Sequence, residues 1–113
     1  MVPDSGAFST GRHDQEERVV FVPRGELDLA TAPEFEAALL DALRGPKPVV
    51  VDLRELEFMD SSGVRVLITA HANAGDHGER LVLVRPRRGG AVDRILEIAG
   101  VEQAMRLVDE PGA

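Results

Sequence analysis

Two adjacent serines, Ser61 and Ser62, stand between Asp60 and Gly63 and are the residues best placed for chemistry. They follow an apolar run at residues 49–53 and open an apolar-periodic stretch, which predicts a junction between a strand and a helix. A helix N-terminus presents unpaired N–H groups and partial positive charge, so it stabilises anions. A serine there can cap the helix, act as a nucleophile, carry a phosphate or contact one.

Helix capping is the simplest of these roles. Asp60 or Ser61 would accept an N–H from the first turn, a contribution of about 1 kcal/mol. Capping explains one polar side chain, but not the second serine or the glycine after it. We interpret Gly63 as leaving the backbone around Ser62 without a covering side chain, which suits a hydroxyl that another protein approaches.

A nucleophilic hydrolase is disfavoured by the residues around the serines. The nucleophile elbow requires a glycine two positions before the serine, where this chain has Met59 or Asp60. A serine nucleophile also needs a histidine within hydrogen-bond reach. The chain has three histidines, at His13 in the N-terminal segment, at His71 about two turns into the helix and at His77 in a turn. None of them is placed to reach Ser62.

Other chemical classes find little support. Neither glycine-rich nucleotide-binding motif is present, and Lys47 is the only lysine. Acyl carrier domains share the small size and acidity but are helical bundles, whereas this chain has three strongly apolar strands. Four acidic residues lie near predicted strand ends: Glu26, Asp28, Asp52 and Asp60. Metal ligation by these carboxylates is conceivable, and a solvated rim explains them equally well. We expect no metal and no cofactor.

Composition narrows the classes of partner. The 113 residues suffice for one domain, and with only four phenylalanines as aromatics the core must be aliphatic. The net charge of −7 disfavours nucleic acid and anionic membranes. The absence of cysteine, of a long apolar stretch and of a signal peptide favours a cytoplasmic protein. One basic cluster, at Arg85, Arg87 and Arg88, is either an anion or partner contact or, more simply, a solvated loop.

Strands and helices alternate along the chain. Apolar runs predict strands at 18–22, 48–53 and 81–84, and residues 105–108 form a short strand or a helical turn. Periodic patterns predict helices that begin near Thr31, near Ser62 and near residue 91, with Thr31 as a cap. Alternation of this kind implies parallel strands with helices mainly over one face. We predict a weakly ordered arm at 1–17, with a short edge strand at 7–10, then a domain at 18–108 and a tail at 109–113.

Several of these segments together resemble the STAS domain, in particular that of bacterial anti-sigma factor antagonists. The resemblance covers residues 18–108 and rests on these segments: Gly25-Glu26-Leu27-Asp28 with Thr31-Ala32, Val50-Val51-Asp52-Leu53, Phe58-Met59-Asp60-Ser61-Ser62-Gly63-Val64, and Gly78 with Leu81-Val82-Leu83-Val84. It implies a small α/β fold with a four- or five-stranded, mostly parallel or mixed sheet and about four helices.

The resemblance also implies a regulatory switch. In such proteins the residue before the glycine of the D-S-S-G motif, here Ser62, takes a phosphate from an anti-sigma factor that is a serine kinase. The unphosphorylated protein binds the anti-sigma factor and frees a sigma factor, and a PP2C-type phosphatase resets it. The partner-facing residues implied are Asp28, Thr31, Asp60, Ser61, Gly63 and Arg65.

Arg65 departs from the family, which often has glycine at this position. It places a cation one helical turn from Ser62, where it contacts the partner or projects into solvent. Two competing hypotheses remain open. One is a STAS-like scaffold that binds without being phosphorylated, and the other is a small enzyme that uses the acids at the strand ends.

Overall fold

The computed structural model describes residues 8–75 and 80–110. Within them the chain forms a mixed α/β fold of six strands and four helices. In chain order these are β1 (Ser9–Asp14), β2 (Val19–Leu27), α1 (Ala32–Leu43), β3 (Val49–Asp52), β4 (Leu56–Met59), α2 (Ser61–Ala74), β5 (Leu81–Val84), α3 (Ala91–Ala99), α4 (Val101–Ala104) and β6 (Arg106–Val108). The segment at 105–108 is therefore a strand, preceded by a short helix.

The strands form one sheet in the order β1-β2-β3-β5-β6, with β4 beside the second half of β2. Among the strands of the described residues, only the β1–β2 pair is antiparallel. The predicted fold class is confirmed, with six strands in place of the four or five expected. The additional strand β4 follows β3 after a tight turn, and only two of its four residues are buried, so its sequence carries little strand signal.

Strand β2 is longer than predicted because it changes neighbours. Pro23 and Gly25 predicted its end near residue 22, yet it continues to Leu27. Its first part pairs with β3 and its last part with β4, so Pro23 lies between the two ladders, where its missing N–H is not needed. Gly25 has a φ of +86° at the register shift that begins the second ladder, a conformation that favours glycine.

The first strand corrects the prediction of a weakly ordered arm. Residues 9–14 form an edge strand that is paired with β2 along its whole length, from Ser9 beside Arg24 to Asp14 beside Val19. Its polar residues gave little strand signal because an edge strand has solvent on several sides. Residues 1–7 and 111–113, and with them parts of the predicted arm and tail, lie outside the described residues, as do His77 and Gly78.

The main core lies between the sheet and the helices. Alternate strand residues such as Phe21, Val51 and Leu83 meet buried residues from all four helices. Phe35 of α1 is fully buried and packs edge-on against Phe21, with ring centroids 6.1 Å apart. Burial of one such side chain contributes about 2–3 kcal/mol. The other sheet face carries a smaller aliphatic cluster formed by Val20, Val22, Val50 and Val84.

Candidate functional site

The start of α2 is fixed by Asp60, which confirms the predicted cap. Its backbone is extended, and its carboxylate accepts a hydrogen bond of 2.8 Å from the N–H of Ser62. The two serines therefore occupy the first two helical positions, Ser61 exposed and Ser62 half-buried. Within the described residues neither hydroxyl has a hydrogen-bond partner. Asp60 thus serves the helix, and both hydroxyls remain available for other chemistry.

Two of the segments that carried the sequence resemblance, residues 25–28 and residues 58–64, meet at this point. The backbone N–H of Asp60 donates to the carbonyl of Leu27, the last residue of β2, at 3.2 Å. Gly63 is buried, and a Cβ on it would lie 2.5 Å from Cγ of Met59 and 3.1 Å from Cδ2 of Leu27. The interpretation of Gly63 as uncovering Ser62 is therefore wrong. The glycine faces inward and lets α2 lie close against the strand ends.

The loop between β2 and α1 is a compact hydrogen-bonded turn built by Asp28 and Thr31. The Asp28 carboxylate accepts from the N–H groups of Ala30 and Thr31, at 3.0 and 3.2 Å. The Thr31 hydroxyl accepts from the Asp28 N–H at 2.9 Å and contacts the Glu26 carbonyl at 3.0 Å. Thr31 therefore makes no side-chain cap for α1, contrary to the prediction, because its hydroxyl is turned back toward β2. These two predicted partner-facing residues set the shape of the loop.

Ser62 faces a shallow groove between the starts of α1 and α2. The groove has a volume of about 190 Å³, and its lining includes Leu29, Glu36 and Arg65. Leu29 lies between Asp28 and Thr31 in the chain and is 77% exposed. The structure therefore brings the β2–α1 loop, Ser62 and Arg65 to one surface.

Ser61 faces a second groove on the other side of the α2 start. This groove, about 510 Å³ and mainly apolar, is lined by Phe58, Asp60 and Ser61 on one side and by residues of α3 on the other, among them Arg94, Ile95 and Ile98. The sequence pattern did not identify the exposed apolar side chains of this groove, Phe58 and Ile98. It also did not identify Leu29, which lines the groove at Ser62. Ile98 is 78% exposed because it lies outside the apolar stripe of its helix, which Val92, Ile95 and Leu96 form.

The exposed face of α2 also differs from the prediction. The apolar spacing of Val64, Leu67 and Ile68 predicts that Ile68 faces the core. Instead, Ile68 is 50% exposed and Val66 is buried. Arg65 is exposed one residue earlier. Ile68 lies two turns along from Ser61 and therefore extends the apolar surface beside the two serines.

The sequence model of the family described as "Mlab, STAS domain" matches residues 10–109. The chain belongs to the STAS domain family. The resemblance stated from the sequence is thereby confirmed, and two of the segments that carried it are joined by the hydrogen bond from Asp60 to Leu27.

Relatives of this STAS chain are anti-sigma factor antagonists. RsfB of Mycobacterium tuberculosis, named an anti-sigma-F factor antagonist, is 30% identical over 84 residues, which are 74% of this chain and 66% of RsfB, just under two thirds. The crystal structure of an anti-sigma factor antagonist from Mycobacterium paratuberculosis superposes with a TM-score of 0.85 at 25% identity, covering 98% of this chain and 93% of that one. The phosphorylated form of SpoIIAA from Bacillus shares the fold, with a TM-score of 0.65 at 24% identity and 92% and 93% of the chains covered.

Three of the four acidic residues of the STAS chain that suggested a metal site are engaged elsewhere. Asp60 caps α2 and Asp28 shapes its loop. Asp52 is buried and is bound by the side chain of Arg54, at 2.8 and 3.0 Å, and by its N–H. Burial raises the pKa of Asp52, but the hydrogen bonds and charge of Arg54 outweigh burial, so the pKa lies below its ordinary 3.8. Among the described residues no group of three or more His, Cys, Asp or Glu side chains is placed to hold a metal.

The positions of the described histidines give no support to an enzyme that uses Ser62 as a nucleophile. His71 lies on α2 about 13 Å along the helix axis from Ser62, at 1.5 Å per residue, and so cannot activate its hydroxyl. His13 lies on β1, at the edge of the sheet beside β2. In the part of the chain that the structure describes, no helix is long and apolar enough to cross a bilayer.

Proposed function

We propose that this STAS chain is an anti-sigma factor antagonist that is switched by phosphorylation of Ser62. In the unphosphorylated state it binds an anti-sigma factor that is also a serine kinase, and a sigma factor is released. The kinase transfers phosphate to Ser62 and the complex dissociates, after which a PP2C-type phosphatase restores the hydroxyl. These events take place in the cytoplasm. The chain acts as a binding protein and kinase substrate, not as an enzyme.

The observation that carries the proposal is the position of Ser62. Its N–H is already satisfied by Asp60, its hydroxyl is unpartnered among the described residues, and it borders the groove that Leu29 and Arg65 line. A kinase needs an accessible hydroxyl on a rigid backbone, because phosphoryl transfer depends mainly on positioning and on charge stabilisation supplied by the kinase. The anchoring of Asp60 to Leu27 provides that rigidity.

Charge explains how one phosphate would release the partner. A phosphate adds about −1.5 to −2 charge at neutral pH, close to the carboxylate of Asp60. Beside the exposed side chains of Leu29 and Ile68, a docked partner would remove water from that charge. Uncompensated burial costs several kcal/mol, and about 4 kcal/mol weakens binding about a thousandfold. In the free protein the helix N-terminus and the exposed Arg65 tolerate the phosphate, so the fold survives.

The relatives support the same conclusion. RsfB and the Mycobacterium paratuberculosis protein are both named anti-sigma factor antagonists. A protein of the same fold, SpoIIAA, has been solved in its phosphorylated form, so the fold is compatible with a phosphate. That Ser62 carries it here is inferred from the resemblance of the D-S-S-G motif, and the unpartnered hydroxyl of Ser62 supports this inference.

The test is phosphosite mapping with matched variants. The protein is incubated with ATP and a panel of anti-sigma serine kinases, led by the anti-sigma-F factor of Mycobacterium tuberculosis, and analysed by mass spectrometry. We expect Ser61→Ala to be phosphorylated normally, and Ser62→Ala to remain unmodified and bound to its kinase. Ser62→Asp should bind weakly. Phosphate found on the Ser62→Ala protein would refute the assignment.

A second candidate function shares this surface. The exposed apolar side chains Leu29, Phe58 and Ile68 fit a STAS module that binds a partner without being phosphorylated. Mass spectrometry of the protein isolated from cells separates the two. A phosphorylated fraction at Ser62 favours the switch, and its absence under all growth conditions, together with retained partner binding, favours the module.

A further inference from the structure

The basic cluster noted in the sequence forms one end of a surface trough. Arginines from two loops surround a cavity of about 390 Å³ together with Pro86 and Asp109: Arg54, Arg85, Arg87 and Arg88. Arg54 follows β3 and the other three follow β5, so the parallel strands bring them to one edge of the sheet. The fold therefore adds a fourth arginine to a cluster of three in a chain whose net charge is −7.

Two of the four guanidinium groups are held in place by carboxylates. Arg54 is bound by the buried Asp52, and Arg85 contacts Glu102 at 2.6 Å and Asp109 at 3.4 Å. Arg87 and Arg88 are exposed and form no ion pair with any described residue. These two charges are thus available to an outside ligand, and they outweigh the single negative charge left over where Arg54 and Arg85 face three carboxylates.

The trough runs from this cluster to the serines. Pro86 and Arg87 also line a neighbouring cavity of about 460 Å³, whose wall includes Glu57 of β4. That cavity shares Gly90 and Ala91 with the apolar groove at Ser61. All four residues of β4 line the two cavities, and among the described strands β4 pairs only with β2. Four strand residues span about 13 Å, so the trough is at least that long beside β4.

We propose that this trough is the docking site for an extended segment of a protein partner that carries acidic residues at one end and apolar residues at the other. The acidic end pairs with Arg87 and Arg88. The apolar end fills the groove between Phe58 and Ile98. An extended peptide beside a strand with an unpaired edge is a recurrent mode of recognition. The segment would end next to Ser61, so one partner can occupy the trough and the α2 start together.

Charge and hydrophobicity favour a protein segment over a nucleic acid. The middle of the trough carries Glu55 and Glu57, and Glu55 is paired with Arg24, so Glu57 would repel a phosphate backbone that ran the whole length. The far end offers apolar surface, which a sugar–phosphate chain cannot use. An alternation of charge and apolar surface of this kind is matched by a polypeptide with mixed side chains.

The test is peptide selection against the purified, unphosphorylated protein. Random peptides of about eight residues, which span about 26 Å when extended, are displayed on phage and selected on the wild-type protein. The same selection is made on Arg87→Ala/Arg88→Ala, on Phe58→Ser/Ile98→Ser and on a control, Arg44→Ala, at the exposed end of α1. The side chains changed in both trough variants are exposed, so they should fold normally.

We expect wild-type and control selections to enrich peptides with Asp or Glu at one end and Leu or Phe at the other. The arginine variant should lose the acidic preference and bind a selected peptide about tenfold more weakly. The Phe58→Ser/Ile98→Ser variant should lose only the apolar preference. Selection of the same peptides by all four proteins, no enrichment at all, or displacement of the selected peptide by single-stranded DNA at physiological salt would each overturn the proposal.

This selection uses neither kinase nor ATP, so its outcome is independent of the phosphorylation test. Ser62→Ala should enrich the same peptides as wild type. If phosphate appears on a residue other than Ser62 while the peptide preferences hold, the proposed function fails and the trough remains. If the preferences are absent while Ser62 is phosphorylated, the reverse is true.

Discussion

Replacement of Gly63 by alanine probes the closest contact between α2 and the sheet. The added Cβ would lie 2.5 Å from Cγ of Met59, a separation that real Cβ atoms do not show, and 3.1 Å from two atoms of Leu27. Both neighbours are almost fully buried, so they cannot swing into solvent. Either their side chains leave their preferred rotamers or the start of α2 moves outward.

The magnitude follows from two opposing terms. Overpacking of a dense core costs about 1–3 kcal/mol. Alanine in place of glycine in a helix recovers about 0.5–1 kcal/mol of conformational free energy. We therefore expect Gly63→Ala to lower the free energy of unfolding by about 1–2 kcal/mol. Gly45→Ala is the matched control, because a Cβ there meets only the carbonyl of Ala42, at 3.5 Å, so its effect should stay within about 0.5 kcal/mol.

Urea denaturation of a double-mutant cycle isolates the contact. Met59→Ala removes the clashing Cγ and should itself cost about 2–5 kcal/mol. In that background Gly63→Ala should stabilise the protein by about 0.5–1 kcal/mol, an effect of opposite sign to that in the wild-type background. The coupling free energy between the two substitutions is then about 2 kcal/mol. If Gly63→Ala costs the same in both backgrounds, close packing is not the reason for glycine at this position.

Two further substitutions address the polar residues near the site. Asp60→Ala should lower the free energy of unfolding by about 1 kcal/mol in the same assay, whereas Asp60→Asn, which keeps the acceptor for the Ser62 N–H, should cost clearly less; equal losses would contradict the cap. Asp52→Asn should cost about 1–2 kcal/mol at pH 7, because it weakens charged hydrogen bonds to a half-exposed Arg54, whereas the exposed Asp14→Asn should cost under about 0.5 kcal/mol. The lowered pKa of Asp52 means that the unfolded chain binds more protons than the folded protein, so this contribution is present above about pH 4 and is lost as the pH falls through the folded pKa. Unfolding measured from pH 7 to pH 2 should show the Asp52→Asn difference shrinking, and a difference that grows at low pH would contradict the ion pair.

The parts predicted well are those whose signal is local. Continuous apolar runs located β3 and β5, because strands buried on both faces need apolar residues at every position. The start of α1 and the end of α3 are marked by residues with strong local preferences, Pro33 in the first turn of α1 and Gly100, with a φ of +70°, directly after α3. The cap at Asp60 was likewise readable, because it depends on a residue two positions away.

The parts predicted poorly depend on contacts between distant segments. Strand β4 has only two buried residues, and its partner Gly25–Leu27 lies far back in the chain. The role of Gly63 is decided by Met59 and Leu27, so no local pattern could show that it faces inward. Arg54 joins the basic cluster only because β3 and β5 pair in parallel, which brings their ends together.

The change of neighbours along β2 also protects the site against misalignment. If β2 slipped by one residue, Leu27 would turn from the core to the solvent and lose its place against Gly63. Pro23 resists such sliding, because a one-residue slip would turn its nitrogen toward β1, where its missing N–H would leave an acceptor unpaired. The missing N–H of Pro23 thus helps to keep β2 in register, so that the carbonyl of Leu27 can accept the hydrogen bond from Asp60. The positions of Ser61 and Ser62 depend on that same register.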